Sequence, residues 1–387
     1  MQMVSLAIGW DLYERTGDPW ALGLVGLAEV VPVVLFLIPS GVASDRISRR
    51  NVTIAATLLA MVAVAGLAAA TWARMPLWSI YALLSLLGTS RAFGQPAAAS
   101  FVPELMAPEE RARLNAWIAA SYEAAAIGGP AIAGLLIGAT GGASVPLLAA
   151  GLGQALFVVS LLTLPSRPPH AADDAPHHAS DLLAGIRFIR RTPVFLAAMT
   201  VDLLAVLLAG SIALLPVYAK DILHVGPVGL GWLRTAPSLG ALGMSLVATR
   251  LRPWKRPGRV LLWAVAGFGL ATIGFGLSTN IWLSLGCLFF TSLFDMISVI
   301  IRITLEQNIT PDPLRGRVSA INFLFVGLSN ELGAFESGAV AALVGPVATV
   351  VGGGAAAVLA VAAVARIWPE LVQVGPLHTV RPPGDAG

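Results

Sequence analysis

The chain has 387 residues, of which 57% are hydrophobic and 12% charged, and its mean hydropathy is +0.81. That is half the charged share (about 25%) of a soluble domain, which excludes an ordinary soluble globular protein. The net charge of +3 belongs to arginine-rich loops between apolar runs rather than to a nucleic-acid surface, and the single cysteine, Cys287, lies inside an apolar run and excludes a disulfide framework or a thiolate metal site.

A bilayer core about 30 Å thick takes roughly 20 apolar residues as a helix. In chain order the predicted spans are 20–43, 52–73, 77–99, 114–138, 144–164, 193–218, 228–249, 259–278, 281–301, 318–343 and 346–365. The opening stretch MQMVSLAIGWDLY reaches about 20 Å as a helix, too short to cross. It also lacks the basic n-region of a cleavable signal peptide. Lysine and arginine sort the loops. Eighteen of the 24 fall in one set of loops and the tail, three (Arg15, Arg74, Lys220) in the other, and three (Arg91, Arg234, Arg302) in or at the edge of spans. The rich set is assigned to the cytoplasm, which puts the central loop and the C-terminus there.

The stretch ERARLNAWIAASYEAAAIGGPAIAG from Glu110 repeats as LRGRVSAINFLFVGLSNELGAFESG from Leu314. Arg111 pairs with Arg315, Arg113 with Arg317, Gly129 with Gly333 and Gly134 with Gly338, each 204 residues apart. The same offset lays Arg46 on Arg250. A duplication of six spans explains this, and 165–192 is the join. Its first part is a Pro- and Ala-rich linker; from Ser180, as N-cap, a short amphipathic cytoplasmic helix is expected. The predicted layout is an all-α polytopic membrane protein of two pseudo-twofold six-helix bundles, 1–164 and 193–387, with twelve spans. The offset places the start of the first span upstream of Met1, so its helix is expected to be cut short here.

The loop between the second and third spans, GVASDRISRR, resembles the signature of the major facilitator superfamily of transporters. Gly41, Asp45, Arg46, Arg49 and Arg50 fill its places. The resemblance extends over nearly the whole chain. It implies a cytoplasmic latch: Gly41 for close helix approach, Asp45 at a helix N-terminus of the other half, and the arginines on acids across the interface. The plainer alternative is that these arginines only hold topology. In the second half Arg250 is kept and Thr249 stands where the aspartate would be. The segment AAAIGGPAIAG resembles the exporter and antiporter signature through Gly129, Pro130, Ala133 and Gly134, with Ala125 in place of its first glycine. Here too ordinary helix packing is an alternative. TSRAFGQPAAAS partly matches drug:proton antiporters, whose arginine Arg91 would be, but Gly94 and Gln95 stand in reversed order. The segment 309–338 resembles bacterial efflux proteins of the enterobactin-exporter group.

Ionisable groups within spans are costly unless they face a cavity or a partner. Here they are Glu29, Arg91, Glu123, Asp202, Arg234, Asp295, Arg302, Glu331 and Glu336, with Glu306 just past the tenth span. Arg91 is expected to pair with Glu123, either as a proton-responsive pair or as a static one. Asp202 stands alone in FLAAMTVDLLAVLLAG and suits reversible protonation or substrate binding. Arg302 and Glu306 at i, i+4 read as a structural pair, and Asp295 lies deeper on the same face. Glu331 and Glu336 point about 140° apart on a helix, with Glu331 the cavity-facing one; Glu29 lines either the first-half cavity or the outer mouth. His170, His177 and His178 with Asp173 and Asp174 read as a solvated linker, a metal-sensing tract being the alternative. No cofactor is expected, and Gly352, Gly353 and Gly354 open a span rather than a phosphate loop.

The function this points to is a secondary active exporter in the inner membrane of a bacterium. It would move a small amphipathic or hydrophobic solute, drug- or siderophore-like, against protons, as a monomer without nucleic-acid partners. Siderophore-like anions would use Arg91 and Arg234. The alternatives are an importer or uniporter of the same fold and a non-transporting membrane sensor on this scaffold; an enzyme is not expected.

Overall fold

A computed structural model describes residues 1–105, 108–165 and 179–376; the histidines of the central loop and the end of the tail lie outside them. Among the described residues the structure is all helical. The elements are α1 (Gln2–Thr16), α2 (Pro19–Leu35), α3 (Leu37–Arg46), α4 (Arg49–Trp72), α5 (Leu77–Glu104), α6 (Arg111–Thr140), α7 (Ser144–Thr163), α8 (Ala179–Arg191), α9 (Pro193–Leu208), α10 (Leu215–Val217), α11 (Gly226–Ala248), α12 (Pro257–Leu277), α13 (Ile281–Ile309), α14 (Asp312–Val344), α15 (Pro346–Ile367) and α16 (Pro369–Gln373). By length and composition, eight helices among the described residues are able to cross a membrane.

The duplication is written in the helix ends. Leu77 and Ile281 open α5 and α13, Thr140 and Val344 close α6 and α14, and Thr163 and Ile367 close α7 and α15, each pair 204 residues apart. Local chemistry sets several boundaries. Asp18 caps α2 by accepting from Trp20 N at 2.9 Å, and Asn280 caps α13 by accepting from Trp282 N at 2.8 Å. Gly141 ends α6 in the left-handed region at φ +72°.

Two predicted spans are interrupted. The second is divided at Phe36 into α2 and α3, because Pro39 has no N–H for the carbonyl one turn back. The seventh breaks after α9 at Ala209–Gly210, continues as a 3-10 turn (Ser211–Leu214) and α10, and ends in a π-helical segment, Tyr218–Ile222. Pro216 removes a helical donor there.

Contacts gather the chain into two compact units: Met1–Ala175 with Leu215–Thr235, and Pro176–Leu214 with Ala236–Gly387. The second repeat thus lends its 215–235 segment to the first unit. In that unit α5 packs on α4 and α2, and α7 on α4. The second is built on α12 and α15, with α9 and α13 beside them; Ala198, Val201, Leu261, Val265, Ile301, Leu305 and Ala357 fill its core. Small residues let these helices close. An added Cβ at Gly269 would lie 2.7 Å from the Gly354 carbonyl, and one at Gly354 would lie 2.7 Å from that of Gly269. In a water-free medium such close packing, not apolar burial, holds helices together.

The outward faces are apolar. Leu148, Leu152, Leu156 and Val159 form an exposed stripe on α7, which suits lipid and would be a liability in water. Trp72, Trp78 and Trp282 stand exposed where α4 ends and where α5 and α13 begin, as tryptophans do at a membrane–water boundary.

Candidate functional site

The second unit holds a buried ion pair that sequence reasoning did not pair. Arg302 Nη2 on α13 lies 2.9 Å from Asp202 Oδ1 on α9, and both side chains are 7% exposed. One expectation, the Arg302–Glu306 pair, is corrected. Asp202, alone in its helix, takes its cation from a neighbouring helix. Arg302 does not pair with Glu306. A pair within one helix contributes only a few tenths of a kcal/mol, whereas a buried charge left unpaired costs several. Among the described residues the α9 carboxylate meets no other cation, and the guanidinium goes to it.

Asp295 lies two turns before Arg302 on α13 and lines one small cavity with Asp202, Ser298 and the apolar Val265 and Phe268. The cluster therefore has two carboxylates and one guanidinium. Fully ionised, it carries one excess negative charge in an apolar setting. Arg302 Nε is buried without a hydrogen-bond partner among the described residues. A second cavity is walled by Asp202, Arg302, Asn322, Phe325 and Ser329.

In the first unit Arg91 on α5 pairs with Glu29 on α2. The expected partner, Glu123, makes no ion pair among the described residues. The reason lies one turn away on α5: a Cβ at Gly88 would strike the Glu29 carbonyl, so α2 and α5 touch there and Glu29 is delivered to the guanidinium. We expect Arg91→Ala to destabilise the protein by about 1–3 kcal/mol, less than loss of a fully buried partner, and Arg91→Lys by less; thermal unfolding in lipid nanodiscs measures both.

The segment Gly129–Gly134 is a contact surface. A Cβ at Gly129 would lie 3.0 Å from Gln2 Cβ on α1, and one at Gly134 would lie 2.6 Å from the Pro227 carbonyl of α11. From α11, Thr235 donates its hydroxyl to the Ile127 carbonyl at 3.0 Å, and Arg234 donates to Ser5 Oγ at 2.9 Å. Ala133 is fully buried. Close by in sequence, Tyr13 donates to Asp221, and Lys220 sits 5.5 Å over the Tyr13 ring. The sequence carried no signal for this last cluster.

In the decapeptide loop, Arg50 donates from Nε to the Leu161 carbonyl at 2.9 Å and from Nη2 to that of Leu162 at 2.8 Å. Both carbonyls lie in the last turn of α7, the negative end of its dipole, and that of Leu161 also accepts from Leu164 N at 3.2 Å. Arg50→Ala is expected to cost about 1–2 kcal/mol through this cap alone, read as a lower unfolding temperature. Arg46 is exposed and Arg49 half-buried. Among the described residues nothing lies within 4 Å of a Cβ added at Gly41. The side chain of Asp45 lies outside the described residues. Glu331 and Glu336 are half-buried on α14, and Ser337 donates to Glu336 at 3.4 Å. Among the described residues no group of His, Cys, Asp and Glu could hold a metal ion.

Residues 1–334 match a family model described as Major Facilitator Superfamily. The enterobactin exporter EntS of Escherichia coli O1:K1 / APEC is 26% identical over 348 residues, 90% of this chain and 83% of that protein, and the protein of the same name from Shigella boydii serotype 18 matches equally. Among solved structures, a bacterial homologue of the human lysosomal transporter Spinster in an inward-facing, unoccupied conformation superposes with a TM-score of 0.74 at 12% identity, covering 96% of this chain and 95% of that one. A D-xylose–proton symporter superposes at 0.70 with 13% identity, covering 97% and 98%. At these identities the structural likeness speaks for the fold alone.

Proposed function

Because the chain belongs to the major facilitator superfamily, and is thus a multi-pass membrane transporter and not an enzyme, we propose that it exports a small amphipathic or hydrophobic solute, siderophore- or drug-like, by proton antiport and alternating access. The likeness to enterobactin exporters over 90% of the chain favours export of a siderophore-like cargo. The working parts are an N-terminal bundle of residues 1–164, a cytoplasmic loop of 165–192 and a C-terminal bundle of 193–387, in the inner membrane of a bacterium. The arginine-rich loops and the tail face the cytoplasm, with the latch from Gly41 to Arg50 on that side, and the transporter works as a monomer.

The observation that carries the coupling is the Asp202–Arg302 pair with Asp295 beside it. The ionised cluster has a charge of −1, and one proton makes it neutral. Closing an apolar site around a charge is costly, and closing it around a neutral cluster is not. A ligand shifts a conformational equilibrium only by its difference in affinity for the two states. Protonation supplies that difference here, so one proton is the natural unit of coupling.

Everted membrane vesicles test the direction and the drive. With the lumen made acidic, labelled enterobactin is expected to accumulate inside vesicles that carry the protein and to leave when the gradient is collapsed. Accumulation that is indifferent to the gradient, or uptake only in right-side-out vesicles, would overturn the reading.

A further inference from the structure

We propose that Glu306 is a second proton-carrying group, a relay that passes the proton between the Asp202–Arg302 pair and the cytoplasm. The proposal rests on the coupling and orientation given above. Glu306 is 6% exposed, near the end of α13. Its two carboxylate oxygens accept only from neutral groups of α14: Ser319 donates to Oε1, and Asn322 Nδ2 donates to Oε2 at 2.6 Å. No ion pair reaches it among the described residues, although Arg302 stands one turn away on the same helix. Burying a carboxylate that only neutral donors hold is costly.

Asn322 also walls the cavity that contains Asp202 and Arg302. Asn322 thus touches Glu306 and borders the pocket of the ion pair, and Arg302 stands one turn before Glu306, about 6 Å along α13. The helices packed on α13 bring few other charges. α9 has Asp202 and α12 has Arg259, exposed in its first turn. From α14, Arg315 pairs with Asp312 at 2.8 Å, and Arg317, Glu331 and Glu336 complete the set; α13 itself adds Asp295 and Arg302. The repeat has Val102, Asn115 and Ile118 where this cluster has Glu306, Ser319 and Asn322, so the packing of the repeat does not require the acid. In the relay the Asp202 carboxyl gives its proton to a water in the pocket, that water gives a proton to the Glu306 carboxylate, and Glu306 releases it to cytoplasmic water. Only O–H bonds break and form.

Two readings on the full chain in lipid test this. In proteoliposomes, Glu306→Gln is expected to cut net enterobactin efflux driven by a pH gradient by about a hundredfold. Enterobactin exchange at equal pH, which needs no net proton movement, falls far less, and Glu306→Asp restores part of the net flux. Net flux and exchange falling together in both variants, or neither changing, overturns the relay. Independently of any solute, infrared titration of the protonated-carboxyl band is expected to lose one component in Glu306→Gln and a different one in Asp202→Asn. An unchanged titration in Glu306→Gln overturns the relay even if proton antiport stands. A wild type that moves enterobactin without a pH gradient sinks the antiport reading instead, and the infrared result still decides on Glu306.

Discussion

Asp202→Asn is expected to abolish pH-driven efflux and to lower stability by about 3–5 kcal/mol, the cost of leaving a buried guanidinium unpaired. Arg302 has no second carboxylate at hydrogen-bonding distance to replace the one it loses, and its Nε already lacks a partner. These two effects are separable. In the double variant Asp202→Asn with Arg302→Met the stranded charge is gone and the apolar side chain fills similar space, which is often neutral or better for stability. Unfolding temperature should recover to near wild type while gradient-driven efflux stays lost. A double variant that regains efflux would mean that the pair only holds α9 to α13.

The second large effect is expected at Gly134. A Cβ there lies 2.6 Å from the Pro227 carbonyl and 3.0 Å from Gly231 Cα, both backbone atoms that have no rotamer to change. Gly134→Val must push α6 and the start of α11 apart. Overpacking of this kind costs about 1–3 kcal/mol, and the segment it displaces carries the Thr235 and Arg234 hydrogen bonds as well. Loss of transport with a lowered unfolding temperature is the expected result. Gly128 sits on the same helix with nothing within 4 Å of a Cβ, and Gly128→Ala should be neutral or stabilise by up to about 1 kcal/mol, as for any glycine inside a helix. Equal damage from both substitutions would remove close approach as the reason for Gly134.

The sequence made the helices and their duplication legible because duplicated spans keep their lengths: the 204-residue offset read from Arg111 and Arg315 recurs at the ends of α5, α6 and α7. It left partners illegible. Whether Arg91 meets Glu29 or Glu123 depends on which helix lies beside α5 and on the rotation of each, and in helices apolar on all sides no stripe marks the inward face. For the same reason Arg302 read as a partner of Glu306, its neighbour on one helix, when α9 brings a carboxylate into reach. The break at Phe36 was written in Pro39, but hydropathy runs straight across it, so it read as one span. That Leu215–Thr235 packs with the first unit follows from the bend at Ala209–Gly210 and the π-helical segment, which composition does not announce.

The central claim is that a solute and a proton compete for the transporter through the Asp202–Arg302–Asp295 cluster. Linkage makes this reciprocal: if a proton weakens solute binding, bound solute must expel a proton. Enterobactin added to the protein in weakly buffered detergent solution should therefore release about one proton per molecule bound, seen with a pH-indicator dye, and none from Asp202→Asn. Saturable binding by the wild type with no proton release would contradict the account.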